Sequence, residues 1–155
     1  MAGRRGGADV AISTWNRTRK VELLGQMPLF SACSQRQLGM VAALTIPAEL
    51  PAGMVLTRQG ASGGLAYVIA WGRAEVLRSG KRLATLGPGD VVGELSLLDG
   101  EPRSATVKAM TDLQVLELDG RDLQRLMKKA PSVVRKLMEA MAGRLRDMDK
   151  LTAGL

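Results

Sequence analysis

Hydrophobic and polar positions follow two different periods along the chain. From about Thr18 to Gln26 the spacing is helical, with Val21 and Leu24 on one side, and Met27-Pro28-Leu29-Phe30 breaks it. Ser34 is an N-cap candidate for a second helix through Leu38, Val41, Ala42 and Leu44. That helix must end before Pro47, because proline disfavours helical geometry in the residue preceding it. The period then shortens. Apolar runs at Met54–Thr57, Leu65–Trp71, Ala74–Arg78, Arg82–Leu86, Val91–Val92, Ala105–Ala109 and Leu113–Leu118 lie between glycine and proline punctuation. Ser79-Gly80 predicts a hairpin turn and Gly87-Pro88-Gly89-Asp90 another. In 113–118 both alternating faces are partly apolar.

After Asp119 the helical period returns, with one helix over 120–130 and a second that Pro131 can open and that runs to about Lys150. Val134, Met138, Met141, Leu145 and Met148 recur at alternating steps of four and three, a heptad stripe. It either covers the body of the domain or meets a second chain, and both can hold along different parts of the helix. The pattern predicts an α+β fold: an antiparallel, jelly-roll-like β-barrel of about eight strands with N-terminal helices and two C-terminal helices. The expected divisions are a disordered basic tail at 1–17, helices at 18–46, a barrel carrying a ligand turn at 47–119, closing helices at 120–150 and a tail at 151–155.

Composition narrows the chemistry. The 155 residues contain no histidine and one cysteine, Cys33. Ser-His and Cys-His nucleophile systems, histidine metal sites, Cys-rich zinc sites and an internal disulfide are thereby excluded. Aromatics are 3% of the chain and none follows Trp71. The net charge of +7 suggests a nucleic acid or an acidic membrane surface, but its distribution weakens that reading. Residues 1–20 carry net +4 and residues 121–155 net +5, around a centre of net −2. A solvated tail and a solvated helix face account for that pattern. No apolar run approaches the ~20 residues that span a bilayer, and no secretory h-region opens the chain, so a cytoplasmic location is expected.

The segment Val91–Val107 carries the candidate chemistry. Gly93 permits close backbone approach to a ligand, and Glu94 to Leu98 can form one helical turn whose free N–H groups favour an anion. Nine residues after Glu94, Arg103 follows Pro102, and its planar fork can hold two phosphate oxygens. Ser104 adds a hydroxyl, and Ala105 is small enough for its own N–H to reach the ligand. Glu94 would repel a phosphate but suits a ribose hydroxyl. One acceptor for a sugar and one cation for a phosphate describe a nucleotide of low charge, since no Walker lysine is present. The alternative is a structural ion pair between Glu94 and Arg103.

These residues resemble the signature of the cyclic-nucleotide-binding domain family: a Gly-Glu-Leu-Ser/Ala-Leu turn followed by Pro-Arg-Ser/Thr/Ala-Ala-Thr-Val. The match runs through Gly93, Glu94, Leu95, Ser96 and Leu97, then Pro102, Arg103, Ser104, Ala105, Thr106 and Val107. It extends to Pro28-Leu29-Phe30, Tyr67-Val68-Ile69, Gly72 and the Gly87–Asp90 turn, covering roughly residues 20–150. The Glu94–Arg103 spacing is similar to the kinase regulatory-subunit and gated-channel branches. The end of the chain is more similar to the catabolite-activator branch.

The resemblance implies that Glu94 accepts from the ribose 2′-hydroxyl and that Arg103 pairs with the cyclic phosphate. Gly93, Leu95, Ser96, Ser104 and Ala105 would complete the cradle. It implies cAMP or cGMP as the ligand, cAMP before cGMP, and no metal. Base contacts would come from the last helix, at Arg144, Met148 and Asp149. Three departures stand out: Val92 replaces the usual aromatic before the glycine, no aromatic lid follows Trp71, and the Thr-Ser pair of the activator branch falls on Met148 and Asp149. About five residues follow Lys150, so no recognition helix and no direct DNA binding are expected. The expected role is a sensor, not an enzyme, that signals by moving its C-terminal helix, as a weak homodimer through that helix or toward a protein partner not identified by sequence. The alternative is a regulatory domain cut from a longer channel, kinase or transcription regulator.

Overall fold

A computed structural model of the chain describes residues 11–153. Of the two expected tails, residues 1–10 and 154–155 lie outside the described residues. The remainder of the first is not a tail: a 3-10 turn at Ile12–Thr14 precedes Trp15, which is buried in the helical core. Helix α1 (Arg17–Leu24) is capped by the Asn16 side chain, which accepts from the Arg19 N–H at 3.0 Å. A second 3-10 turn, Pro28–Phe30, leads to α2 (Gln35–Ala42). Ser34 caps α2 in a reciprocal box with Gln37: the Gln37 N–H donates to Ser34 Oγ at 3.2 Å and the Ser34 N–H to Gln37 Oε1 at 2.8 Å.

Eight strands follow: β1 (Ile46–Leu50), β2 (Val55–Thr57), β3 (Leu65–Trp71), β4 (Ala74–Arg78), β5 (Lys81–Leu86), β6 (Val91–Val92), β7 (Thr106–Ala109) and β8 (Leu113–Asp119). Every pairing is antiparallel. They form two four-stranded sheets, ordered β1-β8-β3-β6 and β2-β7-β4-β5. The architecture is α+β and jelly-roll-like; the sheets stay separate and do not close into one continuous barrel. The short helix α3 (Ser96–Asp99) lies between β6 and β7. Helices α4 (Gly120–Lys129) and α5 (Pro131–Ala153) close the chain.

Strand alternation divides the core in two. From β3 and β8, Tyr67, Ile69, Leu113 and Val115 turn into the space between the sheets, joined by Ala74, Val92, Val107 and Ala109. Ala66, Val68, Leu116 and Leu118 turn to the other face and pack on the helices, with Leu24, Phe30, Val41, Leu97, Leu123, Val133 and Leu137. The first sheet is therefore buried on both faces, which explains why 113–118 is apolar at odd and even positions alike. Strand β5, by contrast, lies on a sheet edge and is exposed along nearly all its length.

Helix α5 corrects the reading of the heptad stripe. The face that covers the domain is Val133, Leu137 and Ala140. Met138, Leu145 and Met148 are 66%, 67% and 63% exposed, while Met141 of the same stripe packs against the helical core. The helix also continues through Ala153, beyond the expected end at Lys150. At the junction of α3 and α4 the backbones touch: a Cβ on Gly120 would sit 3.0 Å from the Leu97 carbonyl and 3.2 Å from that of Gly64. The Gly120 N–H donates to the Gly64 carbonyl at 2.7 Å. The ligand turn is thus seated directly on the start of the closing helices.

Candidate functional site

The turn after β6 is set by Gly93, whose φ of +77° is a left-handed conformation that other residues adopt at a cost. That angle delays the helix, which begins at Ser96 rather than Glu94 and ends at Asp99, with Gly100 as a left-handed C-cap. The Ser96 N–H donates to the Gly93 carbonyl at 3.2 Å and the Leu97 N–H to that of Glu94 at 3.3 Å. Leu97, fully buried, fastens the turn to the helical core.

Arg103 arrives from the other side. Its N–H donates to the Ala61 carbonyl at 2.9 Å, and its own carbonyl accepts from the Gly60 N–H at 2.8 Å. This ties the residue to the β2–β3 loop. The side chain is 9% exposed, and Nη2 donates to the Leu65 carbonyl at 2.5 Å. Nη1 is buried with no hydrogen-bond partner among the described residues. Two glycines make room for the guanidinium. A Cβ on Gly63 would lie 3.2 Å from Nη2, and one on Gly93 would overlap Nη1. Burial pulls the guanidinium below the ordinary arginine range, with the neighbouring Tyr67 phenol acting in the opposite direction.

A cavity of about 420 Å³ opens over this group, a size typical of small-ligand sites. All seven residues singled out as the ligand cradle line it: Gly93, Glu94, Leu95, Ser96, Arg103, Ser104 and Ala105. The sequence reading missed its apolar wall. Thr57, Val76, Leu86 and Val107 come from strands whose inward face alternation could have indicated, but only once the pairing of the strands is known. Two carboxylates beyond Glu94, Asp99 and Glu101, also line the cavity. Among the described residues, Arg103 is the one cation in the lining.

Glu94 is not paired with Arg103. Its Oε2 accepts from the Leu29 N–H at 2.8 Å, and its Oε1 accepts from Arg144 Nη1 on α5 at 2.6 Å. The carboxylate is 11% exposed and the Arg144 side chain 44%. One acid therefore joins the ligand turn to the N-terminal 3-10 turn and to the last helix. Of the three residues expected near the base, Arg144 reaches the site only through Glu94. Met148 and Asp149 lie on the exposed end of α5 and do not line the cavity.

Two four-stranded antiparallel sheets, a glycine-led helical turn and a buried arginine with an unpartnered nitrogen make up this domain and its cavity. The cyclic nucleotide-binding domain model matches residues 47–130, and the chain belongs to that family. It is 32% identical over 127 residues to the cyclic AMP receptor protein of Thermus thermophilus, covering 79% of this chain and 59% of that one. To the cAMP-dependent protein kinase regulatory subunit of Schizosaccharomyces pombe it is 34% identical over 122 residues, covering 78% and 30%. The N-terminal domain of a transcriptional regulator from Streptomyces coelicolor superposes with a TM-score of 0.76 at 34% identity, over 84% of this chain and 94% of that one. The chain thus spans between about a third and three-fifths of the length of these two curated relatives. As a member of this family the chain carries a cyclic nucleotide-binding domain.

Gly93→Ala tests the close packing at this turn, where an added Cβ would overlap Arg103 Nη1 and lie 2.9 Å from the Leu65 carbonyl. Gly80 has nearly the same φ, +81°, with nothing within 4 Å of the added Cβ, so Gly80→Ala reports the backbone cost alone, about 1–2 kcal/mol. In urea unfolding, Gly93→Ala should cost clearly more than Gly80→Ala. Equal losses would show that the guanidinium is not held against Gly93.

Proposed function

We propose that the chain is a cAMP sensor whose ligand is gripped by Arg103 and whose signal leaves through Glu94 and α5. The observation that carries this is the buried, unpartnered Nη1 of Arg103, a residue that lines one cavity together with the Gly93–Ser96 turn, Ser104 and Ala105. An ionised donor without an acceptor is costly inside a protein, and a phosphate oxygen would remove that cost with a charge-assisted bond. Glu94 then accepts from the ribose. The names of the Thermus and fission-yeast relatives support cAMP over cGMP. Ser104, at the phosphate end, admits either base.

The output follows from the bonds Glu94 already makes. A ribose hydroxyl competing for its carboxylate weakens the link to Arg144, and α5 shifts in population toward positions that do not need that link. Among the described residues no helix is long and apolar enough to cross a membrane. We place the protein in the cytoplasm on the same reading.

A second reading concerns assembly, and the exposed stripe favours it. Met138, Leu145 and Met148 are largely exposed and recur at steps of seven and three along α5. In a parallel pair with Met138 and Leu145 as a-type positions, Arg144 and Asp149 fall at g and e, where opposite charges meet across the seam. The net positive charge of 121–155 opposes close pairing, so the homodimer is weak and salt strengthens it.

Isothermal titration with cAMP and cGMP tests the first reading. The expected result is saturable binding with cAMP the tighter ligand, and a loss of about 2–4 kcal/mol in a folded Arg103→Ala protein. Unchanged affinity in that variant removes the assignment of Arg103, and tighter cGMP reverses the base preference. Sedimentation with and without cAMP at two salt concentrations tests the second. A concentration-dependent dimer, favoured by salt and altered by cAMP, is expected; a monomer in every condition overturns it.

A further inference from the structure

The carboxylates at the ligand cavity outnumber its cation. Arg103 lines the cavity and is 9% exposed. Asp99, the last residue of α3, and Glu101, just before Pro102, are exposed and line the same cavity. Between them Gly100 takes a left-handed φ of +63°, and the Glu101 N–H donates to Asp99 Oδ1 at 3.0 Å. Glu94 is a third acid in the lining, but its oxygens are engaged by Arg144 and Leu29. A phosphate bound to Arg103 therefore sits in the field of one cation and two further carboxylates with no basic partner of their own in the lining.

Such a field discriminates by charge. A cyclic phosphodiester carries a single negative charge, and Arg103 neutralises it. A phosphomonoester carries about −1.5 to −2 at neutral pH. Its extra charge finds no second cation and meets Asp99 and Glu101 instead. Resting on the reading of this cavity as the cyclic-nucleotide site, we propose that Asp99 and Glu101 are specificity residues. They form an acidic mouth that admits a singly charged phosphodiester and rejects more highly charged phosphates. Opening of the cyclic diester by hydrolysis would then expel the product, so the signal ends with the ring.

The test is titration of the wild-type chain and of an Asp99→Asn, Glu101→Gln double variant with cAMP and with AMP, at low and high salt. Both substitutions preserve shape, and the side-chain amide that Asp99→Asn introduces keeps an oxygen for the Glu101 backbone N–H. Wild type should bind cAMP more tightly than AMP. The double variant should bind cAMP about threefold tighter, and AMP tighter by about threefold more than that, as expected for exposed charges. The gap between wild type and variant should shrink at high salt. An AMP-to-cAMP affinity ratio unchanged by the substitutions overturns the proposal while leaving the cyclic-nucleotide reading intact, as does wild-type AMP binding as tight as cAMP. Failure of wild type to bind either nucleotide removes both. Should the double variant not show cooperative melting, each single variant carries the same comparison with about half the logarithmic change.

Discussion

Burying a guanidinium costs several kcal/mol unless its charge and its N–H groups are matched, and a folded chain retains such a group only where the surroundings force it or function uses it. Arg103 is in that condition. Its backbone is locked to the β2–β3 loop through Ala61 and Gly60, its Nη2 is spent on the Leu65 carbonyl, and its Nη1 has no acceptor among the described residues. Much of the local sequence can be understood as arrangement around that one nitrogen. Gly93 and Gly63 are small because the guanidinium occupies the space a side chain would take. Leu97 holds the ligand turn against the helices, and the apolar strands of the second sheet wall the cavity above.

Placed next to that unsatisfied charge, Glu94 acquires its meaning from what it touches. The Arg144–Glu94–Leu29 contacts connect residues far apart in sequence through a single carboxylate that is almost wholly enclosed. The backbone contact of Gly120 with Leu97 gives the same turn a second, rigid connection to the closing helices. A ligand that draws on Glu94 changes the first connection and not the second. On the proposed reading, the differential contact that a ligand-driven shift requires lies in α5 beyond its buried anchors Val133 and Leu137.

Much of this can be read from the chain, for reasons that differ by element. The hairpin at Ser79-Gly80 and the capped start of α2 are local, set by residues within a turn of one another. The ligand turn is legible because its residue types sit at fixed spacing on one short segment. Strand β1 is not among the seven runs, since Ile46-Pro47-Ala48-Glu49-Leu50 alternates poorly and becomes a strand by pairing with β8. Proline is tolerated there because β1 is an edge. The stripe on α5 illustrates a subtler failure. Two overlapping apolar faces exist on that helix, and periodicity alone selects the heptad one, while burial selects Val133, Leu137 and Ala140. The link from Arg144 to Glu94 crosses 50 residues of sequence, and no local pattern reports such a pair.

The central claim is that Arg103 is kept for a ligand and not for the fold. Thermal unfolding of wild type and of an Arg103→Met variant, each with and without saturating cAMP, tests it most directly. Replacing a buried, incompletely satisfied charge by an apolar side chain of similar length should leave the ligand-free protein as stable or more so, and should abolish the rise in Tm that cAMP gives wild type. A ligand-free variant that melts well below wild type, together with equal stabilisation of both proteins by cAMP, would contradict the account.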